Sequence, residues 1–265
     1  MMIRPRRSKT LVSHSNVLGF SLAELMVALA AGLIVSGAAV AFLMSSFRSN
    51  GDYVISTRLT QELRNTLDLV TRDLRRAGYD EFAMSALSTG RVSPFSRVRT
   101  CDAAGVCTGG ATAPTPPLTC VIYAYDRDQG SPGQLDVNNG EVRGVRRRSV
   151  TSNNRPNIGV IEYAVSDGAV KPDCAAAGPD YAVFPLTCNT TTTWCALSDP
   201  TKLDITSFVL TDIGAIAGGV KIRNITVAMQ GRPAGTTEYT RGVKASVRIR
   251  SDCYDSALSN CNLSP

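Results

Sequence analysis

The chain has 265 residues, 43% of them hydrophobic and 19% charged, with a formal charge of +6. Four basic residues, Arg4, Arg6, Arg7 and Lys9, stand in the first 19 positions without a single acid; beyond Gly19, 24 basic residues meet 22 acidic ones, a net of +2. The basic balance therefore sits at the N-terminal end and makes no general case for nucleic-acid binding. The one histidine, His14, lies there too, so the rest of the chain lacks the commonest general base and the Ser-His-Asp or Cys-His arrangements that use it. No phosphate-binding Walker loop, dinucleotide glycine fingerprint or HExxH motif occurs. These observations predict a non-enzymatic protein with no cofactor and no metal.

Residues 20–47 form an apolar run whose only charge is Glu24. As a helix its 28 residues would extend about 42 Å, more than the roughly 20 residues a bilayer core requires. A cleaved secretory signal has an apolar stretch of only about 7–15 residues, so this run is expected to be retained. Basic residues ahead of it predict a cytoplasmic N-terminus and an exported C-terminal bulk. A carboxylate inside such a run is costly in lipid and asks for a role. Its local role is a capping box, with Ser21 at the N-cap and Glu24 at N3, flanked by Phe20 and Leu25 as a hydrophobic staple. Ala28, Gly32 and Ser36 recur at four-residue spacing, which lets helices approach closely in a membrane.

Beyond residue 47 the pattern becomes amphipathic. Ile55, Leu59, Leu63, Leu67, Val70, Leu74 and Ala77 recur at spacings of three and four, with Arg58, Glu62, Arg64, Asp68, Arg72, Asp73 and Arg76 between them. Arg75 and Arg76 suit the negative end of this helix and Gly78 its left-handed cap.

Residues 79–265 are numerous enough for one core, and short β-like runs alternate there with turn signals. Strands are expected over 119–125, 142–149, 158–165, 181–186, 203–210, 220–229 and 243–249. The apolar phase slips between Ile222 and Ile225, which predicts a bulge or bend. Ser166-Asp167-Gly168 reads as a hairpin turn. Arg143, Arg146, Arg147 and Arg148 read as a solvated edge strand protected by charge, with an anionic surface such as DNA as the less favoured partner. Asp126-x-Asp128-x-Gly130 and Asp136-x-Asn138-Asn139-Gly140-Glu141 contain fragments of a calcium loop without its twelve-residue spacing, so turn chemistry is expected. Segments 80–118 and 171–202 read as loop-rich insertions.

Cys101, Cys107, Cys120, Cys174, Cys188, Cys195, Cys253 and Cys261 all follow the apolar run, in what would be an oxidising compartment, so disulfides are the default. Eight cysteines leave 105 pairings open; Cys101 with Cys107 and Cys253 with Cys261 would close short loops. Zinc is disfavoured because no Cys-x-x-Cys spacing is present.

The stretch Gly19-Phe20-Ser21-Leu22-Ala23-Glu24-Leu25-Met26, followed by the long apolar run, resembles the prepilin-type N-terminal methylation motif of type IV pilins and type II secretion pseudopilins. Residues 67–79 and segments 160–170, 220–232 and 242–250 look like minor pilins of the PilW type. The resemblance implies an α+β, pilin-like fold: a long N-terminal helix, half membrane and half amphipathic, packed on an antiparallel sheet with disulfide-bonded loops. It divides the chain into a leader at 1–19, a transmembrane assembly half at 20–47, an amphipathic half at 48–78 and an exported domain at 79–265. It further implies cleavage between Gly19 and Phe20, N-methylation of Phe20, and pairing of Glu24 with the N-terminal amine of a neighbouring subunit. The implied partners are the prepilin peptidase, other minor pilins and the major pilin through the helix, the inner-membrane assembly platform and a tip adhesin. The implied path runs from single-pass inner-membrane precursor, with its C-terminal domain in the periplasm, to the pilus at the cell surface, where such subunits support adhesion or twitching motility. A minor pseudopilin, or an adhesin or DNA-binding module displayed on the pilus, stands as the alternative.

Overall fold

The computed structural model describes residues 19, 21–88, 92–127, 133–182, 186–217, 220–249 and 253–254. The chain divides into two compact units, Met1–Asp52 and Tyr53–Pro265. One helix, α1 (Leu22–Leu74), contributes to both. In the first unit every described side chain of α1 is exposed, Leu22, Leu25, Leu33, Ile34, Phe42 and Phe47 among them. This part has a mean hydropathy of 2.4 over 18 residues, long and apolar enough to cross a membrane.

In the second unit the helix changes character, and Leu59, Leu63, Leu67, Val70 and Leu74 are buried. These are positions of the apolar stripe predicted from spacing. The α-helix proper ends at Leu74 and tightens into turns, Arg76 N donating to Asp73 O at 3.0 Å and Ala77 N to Leu74 O at 3.1 Å. Gly78 then adopts φ +79°, a region closed to most side chains, and donates its N–H to Ala124 O at 2.8 Å. The predicted glycine cap is thus also the point where the helix is tied to the sheet.

Beyond it come α2 (Ala83–Ser88), β1 (Val98–Asp102), β2 (Leu118–Ala124), β3 (Val142–Ser152), β4 (Arg155–Val165), β5 (Trp194–Ala196), β6 (Leu203–Asp212), β7 (Ile216–Ala217), β8 (Val220–Lys221), β9 (Asn224–Pro233), β10 (Arg241–Arg248) and β11 (Cys253–Tyr254). Among the described residues, eight strands form one antiparallel sheet in the order β10-β9-β6-β2-β3-β4-β5, with β1 also on β2, and β11-β8-β7 form a second. The main core lies between α1 and one face of the large sheet: Leu63, Leu67, Val70 and Leu74 pack with Val121, Val145, Ile161, Ile205, Phe208 and Val227. The fold is the α+β, pilin-like architecture expected, a long N-terminal helix on an antiparallel sheet with disulfide-bonded loops.

A polar clasp lies inside this contact. The Asp73 carboxylate accepts hydrogen bonds from the Tyr123 and Tyr125 hydroxyls and faces Arg143 Nη1 at 3.6 Å, while the Arg143 guanidinium sits 4.9 Å from the Tyr125 ring centre. Burial, and then the Asp73 charge, push the Tyr123 phenol well above its ordinary pKa, so it stays a donor at any physiological pH.

The arginine-rich segment departs from the expectation. β3 is not an edge strand; it pairs with β2 on one side and β4 on the other. Side chains on a strand alternate between faces. Arg143 therefore turns to the helix side with Val145, and Arg147 donates to Ile205 O at 2.6 Å. Arg146 takes the opposite face, where its Nε reaches Glu162 Oε2 at 2.7 Å and its Nη1 donates to Cys174 O at 2.8 Å and Ala176 O at 2.7 Å. Its guanidinium also lies 4.0 Å from the Trp194 ring. Glu162, fully buried, accepts from Tyr181 Oη at 2.9 Å as well and lies 3.5 Å from Arg148. Burial lowers the Arg146 pKa against the opposing pull of Glu162, and burial with Glu162 raises that of Tyr181. The sequence pattern of four arginines looked solvated because their partners are 14 to 70 residues away in the chain.

Other expectations are corrected too. The single strand over 220–229 is two strands in different sheets, and the predicted slip marks the crossing at Ile222 and Arg223. In segment 181–186, Tyr181 and Ala182 lie in a turn and 183–185 fall outside the described residues. Ser166-Asp167-Gly168 does lead into a tight two-residue turn, Asp167 and Val170 exchanging both backbone hydrogen bonds across an antiparallel bridge, but that bridge is isolated from the named strands. A two-residue hairpin between named strands joins β3 to β4 through Asn153 and Asn154, both at positive φ, the conformation that suits asparagine. The segments expected to be loop-rich contain α2, β1 and β5.

Gly159 shows how tightly the sheet curls. A Cβ there would lie 1.9 Å from Ile205 O, so the start of β6 can pass over β4 only at a glycine. Asp204 secures the crossing, its Oδ1 accepting from Gly159 N and its Oδ2 from Arg232 Nε, each at 2.8 Å.

Two outcomes follow for urea unfolding of the detergent-solubilised chain. Leu63→Ala empties a buried site and should cost about 2–5 kcal/mol, whereas exposed Leu69→Ala should stay within about 0.5 kcal/mol. Equal effects would contradict the helix orientation. Glu162→Ala strands Arg146 as an uncompensated buried charge and should cost about 3–5 kcal/mol; a near-neutral result would place the pair in solvent.

Candidate functional site: the helix start and the stapled loop face

Two regions carry the residues singled out from the sequence. At the first, Ser21 O accepts from Leu25 N at 3.1 Å, and α1 begins at Leu22. Ser21 therefore occupies the N-cap position and Glu24 the first turn. Gly19 is exposed, and Phe20 lies outside the described residues. Ala28, Gly32 and Ser36 follow on one exposed line of the helix, where a Cβ on Gly32 would meet only open space. The stretch from Leu22 to Leu29 carries five large exposed apolar side chains besides: Leu22, Leu25, Met26, Val27 and Leu29. Such a surface has no place in water, and small residues along it permit close packing on another helix.

The second region is the sheet face opposite α1, covered by loops that disulfides hold in place. Cys101–Cys107, Cys120–Cys174 and Cys188–Cys195 are bonded. The first is the short loop expected; the other two pairings were not legible from spacing. Cys253 stands in β11, and Cys261 lies outside the described residues. The sulfurs of Cys101, Cys107 and Cys174 lie within 4.8 Å of one another, so two disulfides stack side by side with Trp194 in one apolar cluster. Cys120–Cys174 anchors to β2 the same loop whose carbonyls Arg146 holds. Covalent and ionic restraints thus converge on residues 173–176.

The acidic turn segments serve backbone amides. Asp126 Oδ2 accepts from Gly133 N at 2.9 Å, Asp136 caps the turn at Val137–Asn139 through Asn138 N at 2.8 Å, and buried Glu141 accepts from Arg127 N at 3.1 Å. Asp128 and Gly130 lie outside the described residues. Asp102 works similarly on the 102–115 loop, accepting from Thr115 N at 2.8 Å, Val106 N at 2.9 Å and Ala104 N at 3.0 Å. These N–H groups, Thr115 first, hold its carboxyl below the usual value, so its contribution is present at neutral pH and lost as pH falls through that lowered pKa.

At one end of the sheet a cleft of about 800 Å³ opens between the 138–140 turn, the end of β4 and the Cys188–Cys195 loop, with Tyr163 and Val165 reaching it from the face that carries Arg143 and Val145. Nothing in the sequence pattern marked it, because its walls come from three separate segments.

A family model for prepilin peptidase-dependent protein B matches residues 52–249, about three quarters of the chain. No match emerges from the curated proteins or from the solved structures. The match spans the sheet domain and the buried half of α1 without including the short motif at Gly19, and so bears on kinship independently of that motif. With one apolar helix fit for a membrane and a helix-on-sheet domain behind it, the chain belongs to the prepilin peptidase-dependent protein B family, whose members are related to pilus or pseudopilus subunits.

Proposed function

We propose that the protein is a minor pilin of the PilW type, a structural subunit that primes type IV pilus assembly and is incorporated at or near the tip, where it supports adhesion or twitching motility. The observation that carries this reading is the split character of α1. Its second half is buried in a folded domain, while residues 22–50 present an uncovered apolar surface. A subunit that lives first in lipid and then in a fibre requires that surface, since either environment covers it. In this reading the prepilin peptidase cleaves between Gly19 and Phe20 and Phe20 becomes N-methylated. Glu24 in the first turn then meets the N-terminal amine of a neighbouring subunit, an ion pair worth forming in a dry environment. Ala28, Gly32 and Ser36 set the close approach of helices. The chain performs no catalysis, and its partners are the peptidase, the assembly platform, the major pilin and other minor pilins. The C-terminal domain faces the periplasm before assembly and the cell surface afterwards.

A minor pseudopilin of a type II secretion system would share these features, so the test separates the two. The wild-type chain is expected in sheared pili by immunoblot. Glu24→Ala should remain processed but fall at least about tenfold in the pilus fraction, a change that 1.4 kcal/mol of lost pairing produces. Normal pili lacking the chain, with impaired secretion on its deletion, would overturn the pilus assignment in favour of the pseudopilin.

A further inference from the structure

We propose that the cleft at the β4–β5 end of the sheet is a binding site for a short neutral oligosaccharide. This goes beyond the assembly role and does not depend on it. At about 800 Å³ the cleft falls within the range of small-ligand sites. Three features select the ligand class.

The first is prior order. One wall is the turn carrying Asn138 and Asn139, fixed by the Asp136 cap and by Glu141, which also accepts from Asp136 N. The opposite wall is the 188–195 loop, closed by its disulfide. Within it Asn189 Oδ1 accepts from Thr191 N at 3.0 Å and Thr192 N at 3.1 Å, Thr193 N donates to Asn189 O at 2.8 Å, and Asn189 N donates to Trp194 O at 2.8 Å. Walls already ordered spare a ligand the entropy of ordering them.

The second is strain. Thr193, which lines the cleft, sits at φ +61°. A β-branched residue in the left-handed region is a genuine outlier, and such outliers cluster at ligand clamps. The loop could reach the same disulfide with glycine or asparagine at this place.

The third is chemistry. Against a lining that is mostly apolar in area, Asn138, Asn139, Thr190 and Thr193 supply side-chain amides and hydroxyls, and each amide or hydroxyl both donates and accepts. That is the match for a polyol, whose hydroxyls do the same. One guanidinium, Arg127, and one carboxylate, Asp167, balance each other, so the cleft selects against polyanions and polycations. Nucleic acid would need a cluster of cations along a backbone, which this lining does not offer. On the floor Tyr163, 37% exposed as a residue, lines the cleft beside Val165, and its ring offers a flat apolar platform for the C–H face of a pyranose.

The probe is an array of neutral, sialylated and sulfated oligosaccharides, read with the full-length chain in a detergent free of sugar groups, followed by calorimetric titration of the best binder. Neutral oligosaccharides should bind. Tyr163→Ala and Asn138→Ala should each weaken binding at least about tenfold, while Tyr163→Phe, which keeps the platform, stays within about threefold of wild type. Asn138 is exposed, so its variant keeps the test meaningful if Tyr163→Ala unfolds. No binding at millimolar concentration would overturn the proposal. So would preference for acidic glycans, binding of peptides in place of sugars, or glycan binding untouched by both alanine variants.

Discussion

The folded domain depends on one packed contact, the stripe Leu59, Leu63, Leu67, Val70 and Leu74 against a single face of the large sheet. Each fully buried side chain of this kind contributes about 1.5–3 kcal/mol, so the five together make a large apolar contribution. An amphipathic helix lacks an intrinsic stop for sliding along an apolar face. The Asp73 clasp supplies one, because its carboxylate is satisfied only where Tyr123, Tyr125 and Arg143 converge. Gly78, donating to Ala124, fixes the same register from the backbone.

The opposite face is built on different physics. A loop of mostly small and polar residues cannot bury enough apolar area to hold itself in place. Here it is held by Cys120–Cys174, by the Arg146 guanidinium that collects its carbonyls, and by Trp194 stacked beneath. Glu162 makes the arrangement sustainable, since Arg146 without a counter-charge would be an unpaired buried cation. The result is a rigid, stapled loop face.

Legibility from sequence followed the range of the interactions. The apolar run, the helical stripe and most main-sheet strands are written in local periodicity, and a reader of spacing finds them. The Gly19-to-Glu24 motif and the family match, which starts at residue 52, point to the same kinship from separate parts of the chain. Arg143 to Arg148 misled because alternation, not composition, decides which arginine is inside, and Glu162 and Asp73 arrive from distant segments. Asn153-Asn154 carried a turn signal that a search for glycine overlooked. The pairings of Cys120 and Cys188 depend on the folded course of residues 171–202, which no spacing rule encodes. The cleft was invisible for the same reason, being assembled from three loops.

Under the proposed function these parts serve one life history: a helix first solvated by lipid, then by neighbouring helices, carrying an ordered domain out of the cell. Its most direct test is the intact mass of the chain from cells with and without prepilin peptidase. The prediction is a mature species beginning at N-methylated Phe20 only when the peptidase is present, lighter than the precursor by residues 1–19 apart from the added methyl. Identical masses in the two strains would contradict it.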